Sequence, residues 1–250
     1  MNFDIGEIMK LVWCSDIHLN FVKDKREYFY ADIKNRCPDV VVISGDIAES
    51  HDVVEYITEM ERFLEVPVYF VLGNHDFYGS SVTDVRSSVK HLHHLAQTSI
   101  VALSKNTALI GVDAWTGDCR NGDYEKGMDT LKKTLQKLAD TDARLLARRV
   151  KNAIKRGYTR LILVTHVPPY ENACLYAGKK SSPDGLCFWS SRILGETIEP
   201  LAKANPNIDF LWLCGHTHSK VTLHVCKNMQ VRVAGAEYYY PQVNGETEYD

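Results

Sequence analysis

The chain has 250 residues, 45% of them hydrophobic and 24% charged, a composition that excludes wholesale disorder. Lys and Arg number 29 against 32 Asp and Glu, so the net charge of −3 argues against a protein built to coat nucleic acid or an anionic membrane. No apolar run approaches the roughly 18 residues of a membrane span, and the start MNFDIGEIMK has no apolar signal core.

The first apolar run, Lys10–Ser15, predicts a strand buried on both faces, because it is near-continuously hydrophobic and short. A helix follows over Lys25–Arg36, stopped by Pro38, then a second strand at Val40–Ser44. Asp52–Leu64 has helical spacing, Pro67–Leu72 reads as a third strand, and Ser81–Ala96 as a third helix. A strand is expected at Ala108–Val112. The long charged stretch Met128–Arg156 reads as two helices broken at Asp140-Thr141-Asp142. Its ten basic residues through Arg160 are interleaved with apolar ones, which predicts a solvated helix face. Then come a strand at Leu161–Thr165, a helix at Arg192–Ala204 and a strand at Ile208–Cys214. Val221–Cys226 and Gln230–Ala234, separated by Lys227-Asn228, read as an antiparallel hairpin. Pro241–Asp250 has little apolar content and is expected to fray as a flexible tail. With no repeats and no low-complexity linker, residues 1–250 are expected to form one α/β domain.

Seven Cys occur, an odd number with no C-x-x-C pair, which together with the absent signal core predicts a reduced, cytoplasmic protein. Cys14 and Cys214 lie in apolar runs and read as small buried hydrophobes.

Each of the five main strands is followed by side chains able to ligate a metal. They are Asp16 and His18; Asp46; Asn74, His75 and Asp76; His166; and His216 and His218. Ligands of α/β sheets bind at the carboxyl ends of strands, so five segments would deliver N and O donors to one crevice. Residues two apart in an extended segment share a side, which would pair Asp16 with His18 and His216 with His218. Glycines at 45, 73 and 215 precede these donors and permit sharp turns or close backbone approach. Asp16, His18, Asp46, Asn74, His166, His216 and His218 make seven donors. One tetrahedral zinc needs about four, so seven suit two divalent ions sharing a carboxylate. Two such ions, two aspartates and a hydroxide leave about one positive charge, which favours a phosphate-like anion. With no thiolate in register, Mn, Fe, Zn or a similar ion is expected. His75 is placed to act as general acid on a leaving oxygen, with Asp76 orienting its ring or serving as a turn or cap.

These blocks, Asp16-Ile17-His18, Gly45-Asp46, Gly73-Asn74-His75-Asp76, His166 and Gly215-His216-Thr217-His218, resemble the ordered signature of the calcineurin-like metallophosphoesterases. The resemblance implies two packed mixed β-sheets flanked by helices. It implies one ion on Asp16, His18, Asp46 and His218, and a second on Asp46, Asn74, His166 and His216, with Asp46 bridging and His75 catalytic. A metal-activated hydroxide would attack a phosphate mono- or diester in line. The substrate expected is a small-molecule or nucleotide-like phosphoester, with neither a membrane nor nucleic acid as partner. The sequence departs from the family's protein phosphatases after Asp46, where Ile47–His51 lacks their Arg, and Asp76 stands where they have Glu. Alternatives are a non-catalytic protein-binding scaffold on the same fold and a nuclease; the intact set of donors argues against the first and the net charge against the second.

Three further segments carry weaker signals. His91-Leu92-His93-His94 reads as a solvated helical face. The long stretch Val167–Ser191 is expected to wall the substrate cleft, against the alternative of a packed surface loop. Arg120, in Trp115–Tyr124, is a candidate phosphate contact. His51 and His224 lack supporting neighbours.

Overall fold

The computed structural model describes residues 8–22, 25–117, 129–176, 178–180, 186 and 188–250. Strands β1 (Met9–Cys14), β2 (Val40–Ser44) and β3 (Val68–Val71) run parallel in one sheet. The second sheet is built on parallel strands β5 (Thr107–Gly111), β6 (Arg160–Val164), β9 (Asp209–Cys214) and β11 (Met229–Val233). Antiparallel β4 (Val101–Ala102) and β10 (Val221–Cys226) close its two edges. A small hairpin, β7 (Leu175–Tyr176) with β8 (Lys179–Lys180), stands apart.

The apolar runs are continuous because each strand is covered twice. Leu11, Trp13, Val40 and Val42 face Leu109, Ile162, Val164, Leu211 and Leu213 between the sheets. Their neighbours Val12, Cys14, Val41 and Ile43 face outward onto helices α1 (Arg26–Asn35) and α2 (Asp52–Leu64). The outer face of the second sheet packs on α4 (Asp129–Lys155) and α5 (Arg192–Ala204) in the same way. The result is helices, sheet, sheet, helices: the two mixed sheets expected. Cys14 and Cys214 are buried, and burial pushes both thiols up. Among the described residues no helix is long and apolar enough to cross a membrane.

Four expectations are corrected. Pro241–Asp250 does not fray: β12 (Val243–Tyr249) pairs antiparallel with β1 and seals that edge of the first sheet. The helix over Met128–Arg156 has no break, for α4 is one helix of 27 residues. Asp140 and Thr141 are satisfied along the helix by Gln136 and the Lys137 carbonyl, and Asp142 accepts the Ala114 N–H at 3.1 Å, so none of them caps a new start. Its basic face is not uniformly solvated either: Arg149 is buried and donates to the carbonyls of Leu95, Gly111 and Ala96. The third helix, α3 (Val82–Ser88), is capped by the Ser81 hydroxyl and stops early. The chain then turns along β3, where the Phe70 N–H donates to the His93 carbonyl.

Tyr249 is buried between the sheets at 4% exposure. Tyr249→Ala is expected to destabilise the protein by about 3 kcal/mol, read as a lowered urea midpoint. A frayed tail would leave the midpoint unmoved.

Candidate metal centre

The five segments meet at the carboxyl ends of β1, β2, β3, β6 and β9. Their loops extend the sheets as a zipper: Asp16 N–H donates to the Gly45 carbonyl, His18 N–H to Asp46, and Gly215 N–H to His166. Asp16 and His18 come together, but not through an extended backbone, and His216 and His218 are not paired as expected: His216 joins Asp46 and His166, and His218 joins Asp16 and His18. All four are left-handed, with φ of 51°, 40°, 72° and 54°, and Asp46 is so at 52°. Left-handed backbone at non-glycine residues costs of order 1 kcal/mol or more each and gathers at functional sites. Gly45 (φ 96°) makes the turn before Asp46, and at Gly73 an added methyl would overlap the Asp46 carboxylate.

Two clusters of donors share Asp46. On one side His166 Nε2 lies 3.3 Å from Asp46 Oδ1, 3.2 Å from Asn74 Oδ1 and 3.2 Å from His216 Nδ1. On the other, His18 Nε2 lies 4.0 Å from Asp46 Oδ2 and 3.4 Å from His218 Nε2, and His218 lies 3.4 Å from Asp16 Oδ1. Asp16, His18, Asp46 and His166 are buried, while Asn74, His75, His216 and His218 reach the mouth.

The donor chemistry fits a cation. His166 Nδ1 faces the Ser44 carbonyl at 2.9 Å and His216 Nε2 the Phe188 carbonyl at 3.0 Å. A carbonyl only accepts, so both facing nitrogens carry hydrogen. The two remaining ring nitrogens, 3.2 Å apart, face each other, and once the second proton of His166 is given up both turn lone pairs into the same space. Backbone carbonyls that fix a ring in this way are the usual outer support of metal-bound histidine. Groups of three donors drawn from Asp16, His18 and His218, and from Asp46, His166 and His216, each lie within 4.8 Å of one another. A further group joins His18 and Asp46 to His75.

Charge is arranged to match. Burial opposes ionisation of Asp46, but His166 outweighs it, with His18 and His75 adding, and holds the carboxyl well below its usual range. Burial likewise works against charge on His166, but Asp46, and Asp16 behind it, push it up to about 9. His18 and His216 are depressed to about 4, chiefly by burial, so they stand neutral with lone pairs available.

Asp76 is not where it was expected. Its Oδ1 accepts the N–H groups of Ile47 and Ala48 at 2.8 and 2.9 Å, and its Oδ2 accepts Gly73 N–H at 2.7 Å. It clamps the loop after β2 to the loop after β3, and does not orient His75, whose Nδ1 has no hydrogen-bond partner among the described residues. Burial and the nearby Asp46 push its carboxyl up to about 8. The His75 ring stands edge-on to His18 at 4.7 Å, and the His75 backbone N–H donates to Asp46 Oδ1 at 2.9 Å.

Val167–Ser191 reaches the centre through its last part, where Trp189 packs on His216 at 5.0 Å and Phe188 supplies the carbonyl already described. Tyr170 instead turns to Glu199 on α5, and Lys179 and Lys180 are exposed in the small hairpin. Arg120 lies outside the described residues, and Trp115 packs on Phe77.

The sequence reading missed Asp113. It follows β5 as the other site residues follow their strands, and that position was its signal. His94, expected on a solvated face, is buried with Nε2 2.6 Å from Asp113 Oδ1. Arg86 binds Oδ2 at 2.7 Å, and Leu72 N–H donates to Oδ1 at 3.0 Å. The Asp113 carbonyl accepts His166 N–H at 2.9 Å. One residue thus braces the loop carrying Asn74 and His75 and the loop carrying His166.

Histidines and carboxylates gathered at strand ends of a double-sheet α/β fold define a metal-binding hydrolase. Residues 9–220 match the calcineurin-like phosphoesterase family, and the chain belongs to that family. No curated protein matches it in sequence. Among solved structures it is similar to a dimetal phosphatase from Danio rerio (13% identity, TM-score 0.62, 95% of this chain and 91% of that one). It is also similar to the phosphopantetheinyl hydrolase of Mycobacterium tuberculosis (14%, 0.58, 94% and 92%). A third similar structure is GAP50 of Plasmodium, described as the anchor in the inner membrane complex (16%, 0.53, 91% and 71%). At these identities the likeness is one of fold.

Burial raises the Asp113 carboxyl, but His94 and then Arg86 and Leu72 N–H outweigh it and hold it at about 2. Its folded value lies below the roughly 3.9 of an unfolded Asp, so the stability it adds is present above that pH and is lost as pH falls through about 2. Asp113→Asn is expected to lower stability by about 3 kcal/mol at neutral pH and to flatten the acid limb, followed by urea midpoints from pH 2 to 6. Parallel acid limbs in the two proteins would contradict this.

Proposed function

We propose that the protein is a dinuclear, metal-dependent phosphoesterase acting on phosphate mono- or diesters of a small-molecule or nucleotide-like substrate. The observation that carries this reading is Asp46, which turns one oxygen to each donor cluster. Asp16, His18, Asp46 and His218 would hold one divalent ion, and Asp46, Asn74, His166 and His216 the other. Mn, Fe or Zn suits such a mixed N and O set without thiolate. When bound, the ions supply an activated water and offset the charge of the phosphoryl oxygens.

The chain's own residues do the rest. The carbonyls of Ser44 and Phe188 fix the tautomers of His166 and His216. Asn74 presents its amide oxygen, steadied by the hydrogen bond from its Nδ2 to the Tyr78 hydroxyl at 3.1 Å, and adds no negative charge. His75, half-buried at the mouth and tied by its backbone N–H to Asp46, is placed to protonate the departing oxygen.

Loss of a general acid costs about 10²–10⁴ in rate and matters most for a poor leaving group. His75→Asn is therefore expected to lose at least about 100-fold on an alkyl phosphate and much less on p-nitrophenyl phosphate, with metal content unchanged. A full alkyl-ester rate in the variant would remove His75 from this role. Asp46→Asn is expected to abolish hydrolysis and to reduce bound metal from two equivalents to one or fewer, measured by elemental analysis after loading with Mn, Fe, Zn, Ni or Co. Undiminished metal content in that variant would exclude the shared carboxylate.

A further inference from the structure

The mouth of the metal centre is lined with partly exposed aromatic rings. Among the described residues eight large hydrophobic side chains are exposed, and four of them belong to this one edge: Tyr78, Phe188, Tyr238 and Tyr239. Exposed apolar side chains scattered singly need no explanation, whereas their concentration beside a polar site marks a binding surface.

Tyr238 is the centre of the group. Its ring lies 4.7 Å from His18, 5.0 Å from His218 and 6.2 Å from His75. Phe21 stands edge-on to it at 5.7 Å and also packs on Tyr239 at 5.6 Å. Tyr78 lies against His75 at 4.5 Å. Tyr238 is 40% exposed, Tyr78 49% and Tyr239 65%, so ring surface remains open to a ligand.

We propose that this collar selects phosphoesters whose leaving group carries a planar aromatic ring. The inference rests on the phosphoesterase reading and on His75 as the acid. If His75 protonates the departing oxygen, that oxygen lies within hydrogen-bond reach of its ring. A flat group a few bonds further out then falls among Tyr78, Tyr238 and Phe21, because aromatic pairs settle with centroids about 4.5–7 Å apart. Tyrosine suits such a collar because it offers a rigid face at low entropic cost. A flexible alkyl chain would gain contact area there but no stacking geometry. Two sources share this chemistry, an aryl ester and a nucleotide, and they differ in the distance from phosphorus to ring.

The test is calorimetric binding of non-hydrolysable phosphonates to the metal-loaded protein. Methylphosphonate, octylphosphonate, benzylphosphonate, whose methylene stands for the ester oxygen of a phenyl phosphate, and a nucleoside 5′-methylenephosphonate are compared. The benzyl or nucleoside compound is expected to bind about tenfold more tightly than the methyl compound, one stacking contact's worth, and more tightly than the octyl one. Which of the two is preferred distinguishes the aryl ester from the nucleotide. Tyr238→Leu is expected to bring that ratio close to one with metal content unchanged. Tyr239→Ala, at an exposed position packed on Phe21, gives a second variant whose fold is not at risk, and it should reduce the ratio several-fold. Equal binding of octyl and benzyl compounds would replace the proposal with a merely greasy rim. Equal binding of all four, or an unchanged ratio in both variants, would overturn it. Hydrolysis of p-nitrophenyl phosphate separates the two levels. Activity without ring preference sinks the collar alone, whereas neither activity nor methylphosphonate binding sinks the phosphoesterase reading and the collar with it.

Discussion

A carboxylate buried beneath the mouth of the site, Asp46, governs how everything around it is built. Taking such a group out of water costs several kcal/mol unless charge and hydrogen bonds replace the solvent. Its Oδ1 accepts the His75 N–H and faces His166, its Oδ2 faces His18, and Gly73 leaves the space it occupies. Without a metal, a proton on His166 supplies the compensating charge, which is why Asp46 is held down and His166 up. A cation between Asp46 and His166 would take the place of that proton, so metal and proton compete for one position and metal uptake releases the proton.

Presenting Asp46 and its neighbours in this way requires an unfavourable backbone. Five of the seven candidate ligands, Asp16, His18, Asp46, His216 and His218, are left-handed. No one loop holds this by itself. The loops bond to one another: the Asp16 carboxylate accepts His216 N–H at 3.0 Å, Asp76 joins the loops after β2 and β3, and Asp113 joins the loop after β3 to the one carrying His166. The sheets beneath, packed on both faces, fix where each loop begins. Local strain at the site is thus borne by long-range contacts, and a substitution at Asp76 or Asp113 acts on the donors without touching them.

What could be read in the chain followed from how local each signal was. The buried strands and α2 stood out, since doubly covered strands are continuously apolar and α2 keeps its helical spacing. The donor blocks stood out because each directly follows a strand. β12 was illegible: Val243–Tyr249 reads VNGETEY, polar along most of its length, and only its register with β1 makes it a strand. The left-handed turns were hidden, because nothing in Asp16-Ile17-His18 distinguishes that geometry from an extended one. His94 looked like one of a solvated cluster because its partner, Asp113, lies 19 residues away. Trp189 was seen only as one aromatic in a long loop, and Tyr238 fell between the hairpin and a segment read as a tail.

Rigid and adaptable parts of the site are therefore drawn from different kinds of residue. Below the donors lie the buried Asp113 carboxylate, held by His94, Arg86 and Leu72 N–H, and the clamp of Asp76, which are costly to alter. Above them lie partly exposed rings, Tyr78, Tyr238 and Tyr239, which the sheets do not bury. The likeness to solved structures at 13 to 16% identity is one of this scaffold. The strand-end scaffold limits what chemistry the centre can perform, whereas the choice of molecule falls to side chains that the scaffold merely carries.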